Sequence, residues 1–148
     1  MYEQLKLDNQ LCFSVYACSR EIIKLYKPHL DKLNLTYTQY ITMLVMWEAE
    51  IISAKDLGSK LYLDSGTLTP LLKKLEKLEF VTRNRSKEDE RILIVTLTDK
   101  GKALKEMAKL IPEEIVSAID ITIDELSNIR NSLQDLTDNI QVLGKSKE

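Results

Sequence analysis

Glycine and proline are scarce in this 148-residue chain, with four and three copies respectively. A many-turned β sandwich would need more of both, so long helices are expected instead. One His and two Cys are too few for an all-protein structural zinc site of the usual Cys/His kind, and no metal or other cofactor is expected. No run of about eighteen uncharged apolar residues occurs, which excludes a conventional membrane-spanning helix. The opening stretch holds Glu3 and Asp8 and lacks a basic segment followed by an apolar one, so no signal peptide is expected. Those absences point to a cytoplasmic protein whose cysteines are reduced thiols. What is present is an ordinary globular mixture, 44% apolar and 30% charged, over a length suited to one domain spanning 1–148.

The apolar residues Leu7, Leu11, Val15, Cys18, Ile22, Leu25 and Tyr26 recur at three- and four-residue spacing. They predict an amphipathic helix over 5–27, ended by Pro28. A second helix opens near Thr36 or Thr38 as N-cap, and its nearly all-round apolar surface, with Met43, Leu44, Met46 and Trp47, makes it central. Ser53 followed by Asp56 marks the start of a short helix. Asp64 or Ser65 caps another over 67–78, with Pro70 in its first turn, where a missing N–H costs little. Short helix, polar turn and second helix have helix-turn-helix spacing. Two β-branched runs, 80–83 and 91–98, flank a charged loop and predict a β-hairpin, which makes the motif winged.

Thr98-Asp-Lys-Gly starts a helix through Leu110 that Pro112 interrupts or kinks, and Thr122 with Glu125 forms a capping box for a last helix. The fold expected is mostly α with a small β-hairpin wing (α+β), the winged helix-turn-helix lying in 36–98. The apolar surface of 1–33 and 99–148 exceeds what one small winged module covers, so these helices are expected to pair two copies into a homodimer.

Net charge is −2, which taken whole argues against nucleic acid as a partner. Its distribution reverses that inference. Between Lys55 and Arg91 nine basic residues face seven acidic ones, leaving +2, and the remainder carries −4. Ser65, Thr67, Thr69, Lys73 and Lys74 gather small hydroxyls and long cations around the amino end of the second motif helix. Hydroxyls and helix-end N–H groups suit phosphate, while lysines reach the backbone or guanine edges of double-stranded DNA. Arg85 and Arg91 flank the wing, where an arginine can enter a narrow minor groove. Solvated surface is the alternative reading for Lys73, Lys74 and Arg85. Asp89, a carboxylate that phosphate would repel, is read as positioning Arg91 through an ion pair.

The run Leu63-Asp-Ser-Gly-Thr-Leu-Thr-Pro-Leu-Leu-Lys-Lys-Leu-Glu, with Arg85-Ser-Lys-Glu-Asp-Glu-Arg and Leu97-Thr-Asp-Lys-Gly, resembles the MarR family of winged-helix transcription regulators. Gln10-Leu-Cys-Phe-Ser-Val-Tyr and Leu33-Asn-Leu-Thr-Tyr-Thr-Gln-Tyr narrow the likeness to its organic-hydroperoxide-sensing OhrR branch. The resemblance covers nearly the whole chain and weakens after Met107. It implies that Cys12 is a redox sensor, with Tyr26 and Tyr37 as phenol partners and Tyr16 as a nearby aromatic. Thiolate is the nucleophile toward peroxide, phenol donors favour charged sulfur, and Leu11, Phe13 and Trp47 are expected to supply an apolar surround.

Cys18 lies six residues beyond Cys12, about 9 Å along a helix and out of disulfide reach, so it reads as structural. Oxidised Cys12 is then expected to join a low-molecular-weight thiol or to overoxidise. The resulting expectation is a non-enzymatic repressor that holds a pseudopalindromic operator when reduced and leaves it on oxidation by organic hydroperoxide. Three rivals remain open. One is a regulator triggered by a small phenolic or anionic ligand in the dimer cleft with Cys12 passive. The others are a thiol peroxidase, disfavoured by the lack of a resolving Cys, and a pure protein-interaction module.

Overall fold

The computed structural model describes residues 2–146 and falls into two compact units, divided between Ile111 and Pro112. The first unit opens with two 3-10 turns, Glu3–Leu5 and Leu7–Asn9, and then helix α1, Leu11–Asp31. The regular helix thus starts six residues later than the periodicity predicts. Asn9 Nδ2 donates to the Glu3 carbonyl at 2.7 Å, and Gln10 Nε2 to those of Gln4 and Lys6 at 2.7 and 3.0 Å. These side chains occupy carbonyls a continuous helix would use. Pro28 does not end α1 either. It sits inside the last turn, the helix runs on to Asp31, and the turn that follows takes Asn34 into the left-handed region with φ 55°.

Helix α2, Tyr37–Ala49, is fixed at its start by a capping box. The Gln39 N–H donates to Thr36 Oγ1 at 3.3 Å, and the Thr36 N–H to Gln39 Oε1 at 2.9 Å. Its Met43 and Met46 are fully buried and Trp47 is buried, whereas Leu44, expected among them, is exposed. Glu50, at φ 58°, turns the chain into strand β1, Ile51–Ser53, which the sequence reading left out. Ser53 caps helix α3, Ala54–Leu61, and Tyr62 in the left-handed region makes the turn. Asp64 caps helix α4, Ser65–Lys77. Strands β2, Val81–Arg85, and β3, Leu93–Leu97, follow. The wing is therefore an antiparallel sheet of order β1-β3-β2 rather than a lone hairpin. Ile51 pairs with Thr96 on one side of β3, and Val81 with Leu97 on the other.

Helix α5, Asp99–Ala108, starts at Thr98, whose Oγ1 accepts the Gly101 N–H and donates to the Glu79 carbonyl. Trp47 of α2 is buried and donates its indole N–H to the Gly101 carbonyl at 2.8 Å. Leu57, Leu72, Leu75, Val81 and Val95 complete the core of this unit.

Lys109 and Leu110 separate α5 from helix α6, Ile111–Ile119, whose second residue is Pro112. In the second unit, helix α7, Ile123–Lys145, is opened by the expected Thr122/Glu125 capping box. No residue of α7 is buried, and Ile129, Leu133, Ile140 and Leu143 are all exposed. Among the described residues no helix is long and apolar enough to cross a membrane.

Candidate nucleic-acid interface and redox centre

Helix α4 shows two opposed faces. Leu68, Leu71, Leu72 and Leu75 are buried in the core. By helical rotation the opposite face centres on Gly66, Thr69, Pro70, Lys73 and Lys77, all exposed. Ser65, Thr67 and Lys74 lie on its flanks, also exposed. Asp64 accepts the Thr67 N–H at 2.8 Å, and this bond holds its carboxyl below the usual range. Two details depart from expectation. Because α4 begins at Ser65, Pro70 is its sixth residue, in the second turn rather than the first. Lys74 and Lys77 also border an open cleft of about 470 Å3 with Asp31, Asn34, Thr36 and Gln39.

The wing tip is organised by Asp89, which accepts from the backbone N–H of Arg91 and, through both oxygens, from its guanidinium, each at 3.0 Å. These bonds lower the Asp89 pKa and raise that of Arg91. Held at its base, the Arg91 side chain is still 90% exposed, so its charge is offered outward. Arg85 is exposed beside it, donating to the Arg91 carbonyl at 3.5 Å.

Glu76 and Arg83 went unnoticed in the sequence. Glu76 of α4 accepts the Arg83 N–H at 3.1 Å and its Nε and Nη2 at 3.1 and 2.9 Å, fastening the helix to β2. The Arg83 guanidinium bond keeps the Glu76 carboxyl below its ordinary pKa. A pair between a helix and a strand leaves no periodic signal, and none could have revealed it.

Cys12 is the second residue of α1, and both it and Cys18 are exposed thiols. The tyrosines expected around Cys12 divide into two groups. Tyr16 is exposed on α1, with Arg20 Nη1 donating to its hydroxyl at 3.5 Å and the guanidinium 5.4 Å from its ring centroid. Tyr26 and Tyr37 meet at the far end of α1, ring centroids 5.2 Å apart and edge-on. Tyr40, absent from the expected set although one turn beyond Tyr37, is buried and packs 5.6 Å from Tyr26 and 6.4 Å from Tyr37. Burial raises the phenol pKa of all three, that of Tyr40 to about 12, with their mutual repulsion adding to Tyr26 and Tyr40. Near neutrality they are therefore hydrogen-bond donors rather than phenolates.

Fourteen residues of one helix separate Cys12 from Tyr26, about 21 Å at 1.5 Å per residue. A single chain therefore does not bring the thiol to the phenol pair. Trp47 is buried, bonded to the Gly101 carbonyl, and its ring packs 6.4 Å from that of Tyr40 beside the phenol pair.

The model for the family of transcriptional regulators SarA/Rot matches residues 24–108. An organic hydroperoxide resistance transcriptional regulator of Bacillus subtilis (strain 168) is 47% identical over 139 residues, covering 94% of this chain and 95% of its own. The HTH-type transcriptional regulator SarZ of Staphylococcus haemolyticus is 47% identical over 133 residues, 90% of each chain. The structure of reduced AbfR bound to DNA, a protein of Staphylococcus epidermidis, superposes with a TM-score of 0.80 at 37% identity, covering 95% of this chain and 96% of that one.

Proposed function

This chain belongs to the SarA/Rot family of transcriptional regulators and has the MarR-type winged-helix fold, and from that membership we propose a homodimeric cytoplasmic repressor that releases its operator when Cys12 is oxidised. The recognition helix α4 enters the major groove with Ser65, Thr67, Thr69, Lys73 and Lys74, while Arg85 and Arg91 of the wing reach the minor groove, Arg91 steered by Asp89. Two such modules, related by the symmetry of a dimer, read a pseudopalindromic site. The DNA-bound relative AbfR and the family description support this half of the reading.

One observation carries the redox half: Cys12 and the Tyr26–Tyr37 pair sit at opposite ends of α1. Only Leu30 of that 21-residue helix is buried, and α7 buries nothing, so both present apolar faces for a second copy. Antiparallel pairing of two α1 helices sets each Cys12 against the partner's phenol pair, and each sensor is made of two chains. DNA binding is contributed by 36–98, and pairing by 1–33 and 99–148.

The phenol hydroxyls donate to the sulfur, and Tyr16 lies one turn away. The Cys12 thiolate attacks the outer oxygen of an organic hydroperoxide. The O–O bond breaks, the leaving alkoxide takes up a proton to become an alcohol, and sulfur is oxidised to a sulfenic acid. A small cellular thiol then displaces water to give a mixed disulfide. Cys18, on the same helix, stays out of reach. The larger sulfur substituent no longer fits between the helices, and the spacing of the two α4 helices changes.

The test is DNA release by cumene hydroperoxide, measured on a duplex enriched from a random library, with mass spectrometry of Cys12. Wild type leaves the duplex as Cys12 is modified, while C12S stays bound. Release of C12S at the same peroxide dose would sink the thiol switch.

A further inference from the structure

Two residues on the outward face of α4 work against the helix they sit in. Proline is the least favourable residue in a helix interior and glycine the next. Pro70 stands in the second turn, and Gly66 stands one turn before it on the same exposed face. The fold does not require glycine at 66. A Cβ on Gly66 would meet only Asp64 Oδ1, at an ordinary 3.4 Å, and no glycine of the chain has a positive φ.

Their spacing of four has a specific chemical consequence. In a regular helix the carbonyl of residue 66 accepts the N–H of residue 70, and proline has none. A proline ring also crowds the carbonyl four residues before it, and Gly66 adds no side chain to that exposed face. The result is a backbone acceptor without its helical donor, on the face opposite the buried leucines. In the major groove the groups that donate are the exocyclic amines, N4 of cytosine and N6 of adenine. Among the side chains of this face, Thr69 and Lys73 offer hydroxyl and ammonium donors, and none is a carboxylate. We propose that Gly66 and Pro70 form one base-reading element, in which the Gly66 carbonyl accepts from the exocyclic amine of a cytosine or adenine in each half-site. This rests on α4 entering the major groove.

The test uses full-length wild type, P70A and G66A, with preferred sites enriched from randomised duplexes. P70A restores the missing N–H. It should melt higher than wild type and bind unselected DNA with unchanged affinity and salt slope, yet bind the wild-type site roughly tenfold more weakly. At the position where P70A loses preference, the amine is then deleted, using 2-pyrimidinone for cytosine or purine for adenine. That deletion should weaken wild type roughly tenfold and leave P70A unaffected, and the analogue that has this effect identifies the base. G66A should melt no lower than wild type and lose affinity for the same site. Unchanged sequence preference in P70A, or amine deletion weakening both proteins equally, overturns the proposal. A lower melting temperature in G66A overturns the premise that the fold does not need glycine there. Wild type enriching no sequence at all overturns the DNA reading beneath it.

Discussion

Replacing Gly101 by alanine puts a methyl where the fold has left no room. Its carbon would stand 2.3 Å from the Phe80 carbonyl oxygen and 2.7 Å from Leu97 Cδ1. The Phe80 oxygen is backbone, already accepting the Thr98 N–H at 3.1 Å, and Leu97 is buried. The backbone oxygen cannot swing aside, and Leu97 Cδ1, though a side-chain end, is packed in the buried core. To reach ordinary contact the start of α5 must back away by about 1 Å, which is overpacking costing roughly 1–3 kcal/mol. That movement strains two further bonds, from the Thr98 N–H to Phe80 and from the Trp47 indole to Gly101, each worth about 0.5–1.5 kcal/mol. The total is roughly 2–6 kcal/mol, or a fall in Tm on the order of 10 °C for a chain of this length. Urea denaturation followed by circular dichroism at fixed protein concentration measures it. Gly144, with nothing within 4 Å of its added Cβ, supplies the control, and G144A should be neutral or slightly stabilising. If G101A lies within 1 kcal/mol of wild type, the close approach of α5 to Phe80 is not real.

The tyrosine cluster makes stability fall in alkali. Unfolded phenols titrate near 10, whereas burial raises Tyr26, Tyr37 and Tyr40 above that, Tyr40 to about 12. The folded state therefore keeps protons the unfolded chain has lost. Stability is intact below about pH 10 and declines as pH rises toward the folded values. Urea midpoints between pH 9 and 11.5 should drop in wild type and drop less steeply in Y40F; a flat wild-type profile would contradict the burial argument. At the wing, R91A should weaken operator binding several-fold and lower the slope of log K against log salt by about 1. D89N keeps the cation but loses its orientation, so it should weaken binding with the slope unchanged. Wild-type affinity in D89N would mean Arg91 needs no positioning.

Local chemistry was legible in the sequence, and long-range chemistry was not. Thr36, Ser53, Asp64, Thr98 and Thr122 all cap helices in the structure, because a cap depends on an N–H two or three residues away. The ion pair of Asp89 with Arg91 was readable for the same reason. The late start of α1 depends on Asn9 and Gln10 reaching back to carbonyls four and six residues away. Pro28 misled because a proline in the last turn removes one bond without stopping the helix. Strand β1 is three residues long and exists only through its pairing with β3. Tyr40 escapes the sequence because periodicity marks a residue as inward-facing without saying what it meets. The family likeness put Cys12 and the tyrosines in one site, and only the length of α1 reveals that one chain cannot assemble it.

Helix α2 makes a connection that neither of its ends discloses alone. Its first residue is Tyr37, half of the phenol pair, and its last is Ala49. After Glu50 alone the chain is already β1, and the Glu50 carbonyl accepts the Leu97 N–H at 2.8 Å. Because β3 is the middle strand, that single joint also grips the wing. α2 is thus a connecting rod about 20 Å long, without a slack loop at its far end. Tyr37 and the wing are thereby tied by one unbroken helix whose Met43 and Met46 are fully buried in the core.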